Sequence, residues 1–281
     1  MGTDLIDELI KSIYSTKENL LSSRKDIIAL SNKIKMQILN NKRIIIFGTG
    51  ISSEILDKLT KTLWTSFKIS EEQFCSFVVR KPEEMQKRES VEWYESVAVV
   101  NLSNINLNKS DLVIGISSSG SSSYVHRGLK FAKELHCSTA AIMGQQKKEY
   151  GNYIDLLINI KNHHKVIWAL NAEIESSFLE MAIFDVMVYQ ALQDAGRIYK
   201  DHLPFLNPIS QRLYDMCIKT ITELTNINED AAIQQMEQNH NKLESTLIAV
   251  TYNVSFEETE KILKLNKNNF NIIMDPKKIK R

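Results

Sequence analysis

The densest chemistry in this sequence is the run Ser117-Ser118-Ser119-Gly120-Ser121-Ser122-Ser123, set between the apolar stretch Leu112 to Ile116 and a helical pattern carried by Val125, Leu129 and Ala132. A strand, a hydroxyl-rich turn around one glycine and then a helix is a construction that gathers backbone N–H groups, serine hydroxyls and a helix N-terminus around an anion. A flexible serine linker would not be bounded on both sides by ordered, apolar patterns. A second turn of similar make, Gly48-Thr49-Gly50-Ile51-Ser52-Ser53, follows the β-branched run Arg43 to Phe47. Its Gly48-x-Gly50 lacks the third glycine of a dinucleotide fingerprint, because Ser53 holds that place, so NAD binding is weakly supported and no cofactor is expected. Ser52 and Ser53 serve equally as phosphate donors or as plain helix caps. A third hydroxyl pair, Ser176 and Ser177, is read near the start of a strongly apolar helix that runs to about Leu192.

The elements that must position these turns follow from periodicity. Residues from about Asp4 to Leu39 carry isoleucines and leucines at amphipathic helical spacing, as one helix or a helix pair. Phe74 to Val79, Ser138 to Gly144 and Asp155 to Ile160 read as further strands, and strands alternating with helices imply a parallel sheet covered on both faces. Ligands of such sheets lie beyond the carboxyl ends of the strands, where both turns must fall. After Asn207-Pro208 the chain reads as short helices, with Asn228 before Glu229 and the box Ser255-Phe256-Glu257-Glu258 as helix starts. The expected organisation is an N-terminal helical segment over 1–40, an α/β domain over 41–206 and a small helical subdomain over 207–281.

The chain has 281 residues, with 35 lysines and arginines against 34 aspartates and glutamates. Such balance gives no reason to expect nucleic acid or an anionic membrane as partner. The cysteines, Cys75, Cys137 and Cys217, form no C-x-x-C pair and suit neither a disulfide frame nor a metal site. No apolar run approaches the length of a membrane span, so a cytoplasmic protein is expected.

With these residues in view, the sequence resembles the sugar isomerase (SIS) fold, a three-layer α/β/α domain with a central parallel sheet. Its members bind phosphosugars through a glycine-threonine-serine turn and an S-x-S-G-x-[ST] turn, and Gly48-Thr49-Gly50-Ile51-Ser52 and Ser117 to Ser122 stand in those places. The resemblance implies phosphate contacts from Ser52, Ser117, Ser119 and Ser122, supported by the following backbone amides; on the reading of the residues themselves, Ser53, Ser118, Gly120, Ser121 and the Ser176-Ser177 pair are expected in the same pocket. Within the fold the chain is most similar to the N-acetylmuramic acid 6-phosphate etherases and glucokinase regulatory proteins. That narrower match rests on Asn104 to Leu107, on Ser119-Gly120-x-x-x-Tyr124-Val125, on Gly196-Arg197-Ile198-Tyr199, and on the helical tail.

The etherase resemblance implies removal of a lactyl ether by elimination and hydration, chemistry that needs a carboxylate base and an acid. One family glutamate falls on Glu92, with Glu89 matching beside it. The place of the other is taken by Thr62, and a hydroxyl is no substitute for a carboxylate near neutral pH. The family's arginine within the central turn is absent here, and its basic helix start reads Glu175-Ser176-Ser177-Phe178-Leu179-Glu180. Glu175 or Glu180 is the replacement carboxylate on hand. Three functions stay open: an etherase-like lyase, a phosphosugar isomerase drawing on His126 or His202, and a phosphosugar-sensing module without turnover. The resemblance also implies a homodimer.

Overall fold

A computed structural model describes residues 5–49, 51–79, 91–144, 151–160 and 169–281. In chain order the elements are α1 (Leu5–Ser22), α2 (Arg24–Leu39), β1 (Ile44–Thr49), α3 (Ile51–Ser66), β2 (Phe74–Val79), α4 (Val91–Asn104), β3 (Leu112–Ser117), α5 (Ser123–Glu134), β4 (Ser138–Gly144), β5 (Leu156–Ile160) and α6 (Ala169–Asp194). Five helices follow: α7 (Gln211–Thr225), α8 (Glu229–Gln238), α9 (Leu243–Tyr252), α10 (Phe256–Leu265) and α11 (Phe270–Ile273). The chain divides into two compact units, one of Met1–Thr60 with Glu71–Gln190, the other of Lys61–Ser70 with Ala191–Arg281.

In the first unit the strands form one parallel sheet in the order β2-β1-β3-β4-β5. β3 is buried along its whole length, as a strand covered on both faces must be. One face packs Ile45, Phe47, Val113, Ala141 and Met143 against Ala98 and Leu102 of α4 and Tyr124, Val125, Leu129 and Ala132 of α5. On β3 and β5 the sheet also meets α2, whose Ile27, Leu30, Ile34 and Ile38 are buried at helical spacing. The N-terminal amphipathic stretch is thus a helix pair, and the expected three-layer α/β/α arrangement with its parallel central sheet is what the chain adopts.

At the amino edge of the sheet, Arg43 Nε and Nη2 donate to Asp111 at 3.0 and 2.5 Å. Its Nη1 and Nη2 also reach the carbonyls of Ile105 and Asn106, each at 2.8 Å. A bidentate guanidinium pair of this kind fixes the approach to β3. It lies at the end of the strands opposite the serine turn.

The second unit has its own apolar core, built from Cys217, Ile221, Met236, Leu247, Ile262 and Phe270 among others. It is larger than the 207–281 segment read from the sequence, because Tyr199, Leu203, Phe205 and Leu206 pack into the same core. Asn228 caps α8 through the Ala231 amide, and Ser255 with Glu258 closes a full capping box on α10, as their sequence spacing predicts. Among the described residues no helix is long and apolar enough to cross a membrane.

Candidate functional site

The strand order places the carboxyl ends of β1 and β3 side by side, with Gly48 registered against Ile116. From β1 the chain proceeds to β2 on one side, whereas β3, β4 and β5 extend the sheet on the other. This reversal is the topological switch point at which open α/β sheets bind ligands. Both turns singled out in the sequence leave the sheet there.

The central turn is held in shape by its own groups. The Gly120 amide donates to the Ser117 carbonyl at 2.9 Å, and Gly120 has φ +66°, a conformation that a side chain would strain. Ser122 caps α5, its hydroxyl accepting from the Val125 amide at 3.5 Å. Ser117, nearly fully buried, accepts from the Ser122 amide at 3.4 Å. Ser119 and Ser121, both exposed, share a hydrogen bond of 2.7 Å across the lip of the turn. The Ser119 hydroxyl also accepts from the Ser121 amide at 3.2 Å. Gly144, ending β4, lies so close beneath that a Cβ there would stand 2.0 Å from the Ser118 carbonyl oxygen.

Two contacts tie this turn to more distant residues. Ser118 donates to Glu180 Oε1 at 2.5 Å, and Glu180 is only 1% exposed on α6. His126 Nε2 is 2.8 Å from the Gly120 carbonyl, and its Nδ1 is 2.9 Å from the Tyr153 hydroxyl. A carbonyl only accepts, so the proton sits on Nε2, and Nδ1 accepts from Tyr153. With both nitrogens engaged, His126 is a brace for the glycine of the turn. Tyr124 is likewise an anchor: its ring meets Phe47 edge-on at 5.7 Å and its hydroxyl accepts from Asn101 at 3.0 Å. Burial pushes its phenol above the ordinary value.

The remaining sequence candidates fall as follows. Gly48 is buried near the end of β1, Thr49 ends it, and Ser52 and Ser53 occupy the first turn of α3; the side chains of Thr49, Ser52 and Ser53, and Gly50 as a whole, lie outside the described residues. α6 begins at Ala169, so Ser176 and Ser177 sit about two turns inside the helix and not at its start. A hydroxyl pair resembles a helix cap in sequence, whereas the helix already begins at Ala169. They precede Glu180 by about one turn, on the helix that reaches Ser118. Glu92 lies in the first turn of α4, with its side chain outside the described residues, as is Glu175's, and Glu89 is outside altogether. Thr62 is on α3. His202 belongs to the helical unit, 3.5 Å from Glu223.

The Ser118 to Glu180 contact was not legible as a pair, since sixty-two positions separate the two residues; the signal available was an acidic residue within an otherwise apolar helix. Among the described residues no group of three or more histidines, cysteines and carboxylates is arranged to hold a metal.

Residues 8–144 match the family model described as SIS domain. The N-acetylmuramic acid 6-phosphate etherase of Oceanobacillus iheyensis is 24% identical over 220 residues, 78% of this chain and 74% of that protein. The Geobacillus etherase is 23% identical over 84% of this chain and 81% of its own length, and the Bacillus cereus one 22% over 93% and 90%. Among solved structures, a phosphoheptose isomerase from Neisseria gonorrhoeae superposes with a TM-score of 0.45 at 14% identity, covering 65% of this chain and 96% of that one. The chain is thus similar to SIS domains over residues 8–144 and to the N-acetylmuramic acid 6-phosphate etherases over most of its length.

Proposed function

We propose that this protein binds an amino-sugar 6-phosphate at the carboxyl edge of the sheet and, within the etherase lineage, cleaves the lactyl ether of its ligand by elimination and hydration. The observation that carries the binding reading is the self-supported turn Ser117 to Ser122, which opens onto α5 at the β1/β3 switch point. The turn divides its hydroxyls. Ser117 and Ser122 support the backbone, while the exposed Ser119 and Ser121 are the hydroxyls placed to meet a phosphate. Gly48, Thr49, Gly50, Ser52 and Ser53 after β1 and the Ser176-Ser177 pair complete the proposed pocket. Glu180 accepts from Ser118 and borders the turn on that side, so the sugar's hydroxyl or amide groups belong there.

Elimination requires a carboxylate to take the C2 proton and an acid for the departing alkoxide. Glu92 is the proposed first group, with Glu89 beside it in the sequence. Glu180, held at the turn by Ser118, stands in for the carboxylate that Thr62 replaces. The Thr62 substitution is also the observation that favours a second reading, a sensing module that binds without turnover. An isomerase is less supported, because His126 has both nitrogens committed to the turn and to Tyr153.

No cofactor enters this reading. A homodimer is proposed as well, supported by the exposed Ile10, Tyr14 and Leu21 of α1 and Ile28 and Met36 of α2; light scattering of the purified protein tests it. The proposed compartment is the cytoplasm, with neither nucleic acid nor membrane as partner.

The deciding experiment offers the protein N-acetylmuramic acid 6-phosphate and follows D-lactate. Release that is lost on Glu92→Gln or Glu180→Gln supports the lyase reading and assigns the carboxylate. A rise in melting temperature with phosphosugar but no lactate, and no aldose–ketose exchange with hexose phosphates, supports the sensor.

A further inference from the structure

Within the helical unit lies a cavity of about 280 Å³, bordered by Trp64 and Lys68, by Phe205, and by Asn241, Lys242 and Glu244. Its charges are unevenly matched. Glu244, only 7% exposed, accepts from Lys68 Nζ at 2.7 Å. Lys242 holds Glu260 at 3.1 Å. Behind the cavity wall sits Arg197, part of the Gly196-Arg197 motif that the sequence singled out, with its Cζ 4.9 Å from the centroid of Phe205.

Arg197 is 4% exposed, and its Nε and Nη1 are buried with no hydrogen-bond partner. A guanidinium so buried ordinarily forms a paired and fully bonded group. The carboxylate whose field reaches it is Glu244, and that carboxylate is already engaged by Lys68. Glu244 therefore accepts a hydrogen bond from Lys68, while Arg197 feels its charge without a hydrogen bond to it. An anion arriving at Lys68 would relieve Glu244 of that partner and let it serve Arg197. The cavity has polar groups for such an anion's head and the rings of Trp64 and Phe205 for a flat apolar body, the mixture typical of small-molecule sites.

We infer that this cavity is a second ligand site, separate from the sheet edge, which takes a small organic anion with a planar apolar portion. The anionic head pairs with Lys68 and Lys242, the planar part lies against Trp64 and Phe205, and Glu244 turns to Arg197. The inference stands on the helical unit alone and does not depend on the phosphosugar reading.

Benzoate, with benzyl alcohol as its uncharged counterpart, is the probe. Calorimetric titration of the full chain is expected to give saturable benzoate binding and none for benzyl alcohol in the same range. Lys68→Met, in which Glu244 loses its partner, is compared only where a cooperative melting transition shows the protein folded, and is expected to weaken benzoate by about tenfold or more. Arg197→Met is expected to weaken it too, which a merely structural arginine would not do. Absence of saturable benzoate binding overturns the inference, as does equal binding of the alcohol. So does an affinity that falls with Ser119→Ala and not with Lys68→Met, because the anion then sits at the sheet edge. Benzoate release on adding N-acetylglucosamine 6-phosphate in the Lys68→Met protein counts against it in the same way.

Discussion

Two arginines, one in each unit, show opposite uses of the same side chain. Arg43 in the sheet unit directs Nε and both Nη groups onto Asp111 and two carbonyls, and the Asp111 hydrogen bond, against the opposing effect of burial, raises its pKa. Arg197 in the helical unit is more deeply buried and leaves two nitrogens unbonded, and burial lowers its pKa to about 10 despite the nearby Glu244. The first arrangement is finished and structural. The second retains unmet hydrogen-bonding capacity, as a site awaiting an anion does. The same contrast holds between the serine turn, whose hydroxyls brace one another, and the cavity, where the buried Glu244 carboxylate accepts from Lys68 and leaves Arg197 Nε and Nη1 unbonded.

The largest effect that would sharpen this contrast comes from the finished pair. Asp111→Ala leaves Arg43 without its carboxylate and is expected to cost about 3 kcal/mol in urea unfolding. Ligand affinity per folded molecule should not change, since Asp111 lies at the far end of the strands from the turn. Little change in stability would mean that Arg43 finds water as readily as Asp111.

Arg197→Met should move the other way. A folded-state pKa lowered to about 10, well below the ordinary arginine value, means that the charged form is disfavoured in the folded protein by an amount of order 3 kcal/mol. Part of that gain is offset by the lost contact with Phe205, so a net stabilisation of about 1–2 kcal/mol is expected. The sign follows from linkage: the unfolded chain keeps its proton up to the higher pKa. The penalty is thus fully present below about pH 10 and fades as pH rises toward the ordinary arginine value, and the variant's advantage should be flat near neutrality and shrink in that alkaline window. A destabilised Arg197→Met protein would break the comparison.

Ser119→Ala should weaken phosphosugar binding about tenfold, the worth of a hydrogen bond to a charged group, without moving the melting temperature, because Ser119 is exposed and bonds only within the lip. Smallest in its bearing on either site, Ser255→Ala removes the capping box of α10 and is expected to cost about 1 kcal/mol. Hydrogen exchange should register that loss in the helical unit.

What the sequence made legible was local. Val-Ile-Gly-Ile followed by serines and a helical pattern specifies strand, turn and helix within about twenty residues, and the capping motifs at Asn228 and Ser255 are complete within four. Parallel strands with alternating helices then imply the sheet and the edge at which both turns emerge. Contacts closed across long separations were not legible. Glu180 reaches Ser118 from the middle of α6, and the cavity draws on Trp64 and Lys68, Phe205, and Lys242 with Glu244, three stretches that share no pattern. The start of α6 was misread for a related reason: a hydroxyl pair beside glutamates resembles a helix cap wherever it occurs, and only the backbone upstream shows that the helix has already begun. Burial and not chain direction assigns Tyr199, Leu203, Phe205 and Leu206 to the helical core.

The central claim is that the serine turn recognises a phosphate borne on a sugar. Calorimetric titration of the full chain with N-acetylglucosamine 6-phosphate, set against unphosphorylated N-acetylglucosamine, tests it most directly. The account predicts saturable binding of the phosphorylated sugar alone, weakened when both Ser119 and Ser121 are replaced by alanine. Equal affinity for the two sugars, or binding of the phosphosugar indifferent to those two hydroxyls, would contradict it.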